Sequence, residues 1–318
     1  MKPAISQDIY GYGTERRRSE FRKKIGRNWD LYLLILPVLA YFVIFHYWPM
    51  LGIQIAFKKF YAIKGIWGSP WVGFENFARF FGSYYFWRLI GNTLGISLMQ
   101  LVIGFPAPIL LALMLNEVRN KYFKKSVQMI TYAPHFLSIV VVVGMMVAFL
   151  SPTTGNVNYL IQLLGGKPIF FMAESSWFKP LYVLSGIWQN AGWRSIIFIA
   201  ALANIDPQLY EAAEVDGASK LQRIRHVTIP GILPTAIIML IMETGRVMNI
   251  GFEKAFLMQN PANIAASEVI STYVYKVGLL NAQFSFATAV GLFNAVVNIC
   301  LLLMVNRIAK HVSQTSLW

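Results

Sequence analysis

Residues 210–231 read YEAAEVDGASKLQRIRHVTIPG, a polar stretch between two long apolar runs at 181–203 and 232–258. Asp206 and Pro207 just ahead of it supply a helix N-cap and a proline at the first helical position. A short helix then runs through Glu211, Ala212 and Ala213. It stops at Asp216-Gly217, because glycine takes the left-handed backbone of a helix C-cap at no steric cost. Ser219 caps a second helix carrying Lys220, Arg223 and Arg225, which Pro230 is expected to terminate. On local physics alone this is an amphipathic helix-turn-helix joining two apolar segments.

The surrounding chain is too apolar for water. Hydrophobic residues make up 56% of it and charged residues 13%, where a soluble domain carries about 25% charged residues. Cys300, alone of its kind, excludes an intrachain disulfide. Six apolar runs reach the roughly 20 residues a spanning helix needs: about 31–57, 86–115, 127–150, 181–203, 232–258 and 284–305. Backbone groups in lipid must be satisfied within the segment, so all six are expected as helices, an all-α integral membrane fold. The first run is too long for a cleaved signal peptide and is kept as an anchor.

The net charge of +14 then becomes a question of sides rather than of nucleic acid, which is not expected as a partner. With the N-terminus cytoplasmic, the inner segments 1–30, 116–126, 204–230 and 306–318 hold eight, four, three and two Lys or Arg. The outer segments 58–85, 151–180 and 259–283 hold four, two and one. The positive-inside rule therefore predicts both termini, and the opening stretch, on the cytoplasmic side. The expected organisation is a basic arm at 1–30, a transmembrane domain at 31–310 with a loop at 204–230, and a short tail at 311–318. The arm, with Arg16-Arg17-Arg18 and Lys23-Lys24, reads as an orientation determinant lying on anionic lipid.

Between the first two spans, WVGFENFARFF at 71–81 sets Val72, Phe74, Phe77, Phe80 and Phe81 at helical spacing, as for a short helix at the membrane surface. No phosphate-cradling G-x-x-x-x-G-K-[ST] is present. At the nearest approach, Gly166-Lys167, Ile161 replaces the first glycine and Pro168 the Ser/Thr. Enzyme signatures are absent too, and His46, His135, His226 and His311 are scattered, so neither a catalytic nor a metal site is expected.

Polar residues inside the spans are costly and ask for a partner or a cavity. Glu243, Arg246, Asn249 and Glu253 fall within an arc of about 120° if the fifth span is one helix. Gln189, Asn190, Trp193 and Arg194 share a broad face of the fourth, Asn92 and Gln100 lie in the second, and Asn294 and Asn298 in the sixth. Two readings stand side by side. In one, Glu243 pairs with Arg246 on its own helix and the amides tie spans together. In the other, Gln189, Asn190, Trp193, Arg194, Glu243, Arg246 and Asn249 line a hydrated path, with Trp193 stacking on a sugar ring.

The spacing Glu211-Ala212-Ala213, three residues, Gly217, nine residues, Val227, Thr228, Ile229, Pro230 resembles the EAA loop of ABC-importer permeases, with Val227 and Ile229 where that family usually has Ile and Leu. The WVG segment, with Phe86-Trp87 and Asn92-Thr93, is similar to the stretch preceding the core helices of carbohydrate-importing permeases. The likeness to oligosaccharide and polysaccharide-fragment permeases implies six transmembrane helices and a cytoplasmic coupling helix in which Glu211, Ala212, Ala213, Asp216, Gly217 and Pro230 dock an ATPase. It also implies a second homologous permease, two cytoplasmic ATPase subunits that carry the ATP and Mg, and an extracytoplasmic binding protein delivering an oligosaccharide. No cofactor is expected on this chain, and its place is the bacterial cytoplasmic membrane. Uncompensated arginines would favour an acidic, uronate-containing substrate. A secondary transporter or a membrane scaffold without ATPase coupling is the competing class; inverted repeats, which would mark the former, are not seen.

Overall fold

The computed structural model describes residues 27–313; most of the basic arm and the end of the C-terminal tail lie outside the described residues. All regular structure among them is helical, apart from one isolated bridge between Lys58 and Trp71. Helix α1 runs Trp29–Phe57, α2 Glu75–Phe81, α3 Phe86–Glu117, α4 Lys121–Phe136, α5 Ile139–Phe149 and α6 Asn156–Leu163. They are followed by α7 at Ser175–Ala203, α8 at Pro207–Val215, α9 at Lys220–Thr244, α10 at Phe252–Met258, α11 at 270–280 and α12 at Phe284–Ser313.

The six uninterrupted spans expected from hydropathy are not what the chain forms. Four helices, α1, α3, α9 and α12, are long and apolar enough to cross a membrane, and a fifth span appears if α4 and α5 count as one. The run 127–150 is bent by 102° between α4 and α5, where Ser138 leaves the helix to cap α5. The run 232–258 is not one helix either: α9 ends at Thr244, residues 245–251 are irregular, and α10 resumes at Phe252. Helix α7 has the length to span, yet Gln189, Asn190 and Arg194 at mid-length keep it out of the apolar set.

Pro230 does not terminate its helix. It lies inside α9, directly after a wide π-type turn at Ile224–Thr228, in which Ile229 N–H donates to the Ile224 carbonyl five residues back. The widened turn makes room where the pyrrolidine ring would crowd the carbonyl four residues back. The same unit occurs at Val43–Tyr47 before Pro49 and at Gln100–Gly104 before Pro106. In each case the proline follows the π turn by two residues.

Three buried clusters hold the described helices together. Ile96, Val143, Phe178, Tyr182, Ile250 and Met258 join α3, α5, α7, the 245–251 segment and α10. Phe80, Leu89, Met248, Ile270, Tyr273 and Phe286 join α2, α3, α11 and α12. Ala112, Phe198, Leu202 and Ile232 join α3, α7 and α9 near the loop 204–230. Phe80 is fully buried and its ring meets Phe286 and Phe293, so α2 is pinned to α12 while Phe74 stays exposed. Helix α1 contrasts with this: no residue of Trp29–Met50 is buried.

Candidate functional site

Two places in the fold collect the polar chemistry, and α9 touches both. The first is the loop 204–230. Asp206 caps α8 by accepting from Gln208 N–H at 2.9 Å. At its far end Ala218 N–H donates to Ala213 O at 2.9 Å and Gly217 N–H to Glu214 O at 3.1 Å, with Gly217 at φ +74. This paired closure with a left-handed glycine is a Schellman C-cap. Ser219 and Gln222 form a reciprocal capping box at the start of α9.

From behind, α8 is braced by polar links. Tyr210 Oη donates to Thr228 Oγ1 at 3.1 Å, Arg223 pairs with Glu214 at 3.2 Å, and Lys220 at the start of α9 pairs with Glu117 at the end of α3 at 3.0 Å. Its outer side is bare, with Leu209 and Val215 exposed and Leu221 beside them. Glu211 makes no ion pair or hydrogen bond among the described residues, unlike Glu214. Ala212 is exposed beside it, Ala213 is half-buried, and Asp216 and Gly217 lie exposed at the turn. Among the described residues α8 is thus a short capped helix that exposes isolated apolar side chains and an uncommitted carboxylate.

The second place is a cavity of about 250 Å³ enclosed by α3, α7, the end of α9 and the 245–251 segment. Irregular backbone within a membrane protein is tolerated where it is buried in protein or lines a cavity, and the 245–251 segment is partly buried and partly lines this one. Val247, Met248 and Ile250 are buried, while Arg246 and Asn249 are exposed to the cavity. The buried side is held by polar bonds: Met248 N–H donates to Asn298 Oδ1 of α12 at 3.0 Å, and Ser97 of α3 donates to the Val247 carbonyl. Asn249 accepts from Asn294 Nδ2 at 2.8 Å. Replacing Asn298 by Leu strands a buried N–H, and about 1–3 kcal/mol of stability should go with it. The check is thermal unfolding of the purified complex; an unchanged melting temperature would mean the bond is not holding the segment.

Asn190, Arg194, Glu243, Arg246 and Asn249 meet at this cavity, and Gln100 of α3 joins them. The Glu243–Arg246 pair expected on one helix does not form, because the helix ends between the two residues. Glu243 instead pairs across helices with Arg194 at 2.8 Å. Gln189 and Trp193 are placed elsewhere, one residue round α7 from Asn190 and Arg194. Gln189 is buried and donates to the Leu137 carbonyl at 2.9 Å, supporting the α4–α5 bend. Trp193 stacks on His135, with ring centroids 4.8 Å apart, so one face of its ring is occupied. His135 Nδ1 also lies 3.1 Å from Asn190 Oδ1.

Several buried charged residues were not singled out from sequence. Lys254 of α10 is buried, donates to the Tyr182 carbonyl at 2.8 Å and sits 4.7 Å over the Tyr182 ring, behind the cavity wall. Its position within an apolar run was the available signal. Glu268, also buried, is held by Arg88 and Lys276, and Asn92 donates to the Glu268 carbonyl at 3.1 Å. That network ties the 259–283 segment to α3 and gives Asn92 a structural contact. No group of His, Cys, Asp or Glu among the described residues could hold a metal ion.

Residues 104–314 match the family described as "Binding-protein-dependent transport system inner membrane component". Across its full length the chain is 44% identical to the polygalacturonan/rhamnogalacturonan transport system permease protein YteP of Bacillus subtilis (strain 168), covering 100% of each. A crystal structure of a bacterial ABC transporter involved in the import of the acidic polysaccharide alginate contains a chain 44% identical to this one. The two superpose with a TM-score of 0.87 over 92% of this chain and 99% of that one. A second crystal structure, of the alginate transporter in complex with an alginate pentasaccharide-bound periplasmic protein, is similar at 43% identity and TM-score 0.87, over 93% and 99%. The chain belongs to the inner-membrane permease family of ABC importers, and its multi-pass helices place it in the membrane.

Proposed function

We propose that the chain is one of two permease subunits of an ATP-driven importer for oligosaccharides carrying uronate carboxylates. The observation that carries this is the course of α9. Its 25 residues begin in the loop next to α8 and end at Thr244, beside Glu243 in the cavity wall, a run of about 37 Å at 1.5 Å per residue. One continuous helix thus joins the proposed docking surface to a polar space suited to a solute. The names of the similar proteins, polygalacturonan/rhamnogalacturonan and alginate transporters, support an acidic sugar, as do two arginines facing one glutamate in the cavity.

On this reading both termini and α8 are cytoplasmic. Two ATPase subunits hold the ATP and Mg, one of them docked on α8 through Glu211, Ala212, Ala213, Asp216 and Gly217. Pro230 belongs to the mechanical link behind that surface rather than to the surface itself. A second, homologous permease completes the path, and an extracytoplasmic binding protein loads it. The chain itself performs no chemistry. Reconstitution of the full complex in vesicles tests the proposal. With the binding protein present, a uronate oligosaccharide should accumulate only when ATP is supplied on the ATPase side. Accumulation driven by an ion gradient without ATP would make the chain a secondary transporter; no accumulation under either condition would leave a scaffold.

A further inference from the structure

The cavity has three charged side chains, and they are not equivalent. Arg194 and Glu243 are paired at 2.8 Å, each partly exposed to the space between α7 and α9. Arg246 is exposed to the same space, and its guanidinium has no ion pair or hydrogen bond among the described residues. Its backbone sits in the 245–251 turn, with Arg246 N–H bonded to Glu243 O at 3.0 Å and Asn249 N–H to Arg246 O at 2.8 Å. The flanking Val247 and Met248 are buried. The guanidinium is therefore a free donor set on a fixed mount. The formal charge of the cavity is a single positive unit, and that unit is Arg246.

We propose that Arg246 is the specificity-determining cation of the cavity, taking one substrate carboxylate, and that Glu243 keeps Arg194 from taking a second. The proposal rests on reading the cavity as part of the substrate path. A guanidinium presents parallel N–H donors that match a carboxylate in a bidentate fork, and a neutral sugar hydroxyl cannot use both. Transit also requires that binding be firm enough to admit the solute and weak enough to release it. Two free arginines lining one cavity would hold a polyuronate by two forks at once. Glu243 removes one of them by occupying Arg194 internally. Asn190, Asn249 and Gln100 add uncharged donors and acceptors for hydroxyls.

The test compares uptake of a uronate trisaccharide with that of a neutral trisaccharide of the same length, at limiting substrate, by the complete reconstituted transporter. The binding protein is identical in every sample, so a change in the ratio reports the permease. Arg246→Gln should lower the acidic-to-neutral ratio about tenfold, the scale of one charge-assisted hydrogen bond. Arg246→Lys should recover part of it. Glu243→Gln, which unmasks Arg194, should keep or raise the ratio. An unchanged ratio in Arg246→Gln would overturn the proposal, as would a fall in Glu243→Gln equal to that in Arg246→Gln. Failure of both Arg246 variants to assemble would also overturn it, by making Arg246 a structural residue. If the wild-type complex moves neither sugar on ATP, the permease reading has failed instead.

Discussion

Glu211→Lys should abolish ATP-coupled uptake while the subunit still assembles in the membrane. Glu211 is exposed on α8 and uncommitted among the described residues, so reversing its charge strains no contact within the chain. What changes is the docked interface, where losing one partner of a buried charge pair costs about 2–5 kcal/mol. Uptake should fall by a factor of roughly 30 or more. Gly217→Asp acts at the same surface by another route. A Cβ there meets nothing within 4 Å, so the cost is the left-handed backbone itself at φ +74, about 1–2 kcal/mol, and relief of that strain re-aims the end of α8. Glu214→Gln is the control: its pairing with Arg223 is with a largely exposed carboxylate, and exposed pairs contribute about 0–1 kcal/mol. Equal ATPase stimulation and uptake in Glu211→Lys and wild type would remove α8 from the coupling role.

The second large effect is expected at Gly192. An added Cβ would lie 2.1 Å from the Thr131 carbonyl oxygen and 2.4 Å from its carbon. Both are backbone atoms of α4, so α7 and α4 have to part for Gly192→Ala to be accommodated. Overpacking of this kind costs about 1–3 kcal/mol and sometimes more, and here it should also shift Asn190 and Arg194, two residues either side and in the cavity wall. The purified complex should lose yield and melt at a lower temperature. Gly144→Ala, where nothing lies within 4 Å, should be neutral or slightly stabilising, since alanine favours a helix by about 0.5–1 kcal/mol. Wild-type melting of Gly192→Ala would show that the two helices do not approach this closely.

What could be read from sequence follows the range of the forces involved. Asp206, Pro207, Gly217 and Ser219 act on backbone groups within a few residues, and each sits in the cap its chemistry called for. Pro230 was misread because a single proline looks like a stop. Only its π turn two residues upstream, a feature of hydrogen-bond pattern rather than composition, lets the helix run on. The fifth span failed for a related reason. Hydropathy averages across 232–258 and passes over Gly245 and Gly251, which bracket the irregular segment. Gln189 and Trp193 differ from Asn190 and Arg194 by one residue each, or 100° of helix, and only the bend between α4 and α5 decides which pair meets the cavity. The Arg194–Glu243 pair joins residues 49 apart on different helices, and no local rule could have drawn it.

The recurring π turn and proline give the bundle its compliance. π-type turns occupy well under 1% of residues in ordinary proteins, whereas among the described residues three of the four helices long and apolar enough to span carry one, each followed at the same distance by a proline. At such a point the ladder lacks one donor and its bonds reach five residues instead of four, so flexing there disturbs fewer intact bonds than elsewhere along the helix. The turn in α3 contains Gln100, Leu101 and Gly104, all in the cavity wall; the turn in α9 begins four residues after Lys220. The widened turns thus lie at the cavity in α3 and at the end of the loop 204–230 in α9, and α9 carries a further proline, Pro234, on its way to the cavity. On the proposed reading, a push on α8 would reach the cavity through a helix with its own bending points rather than through a straight rod.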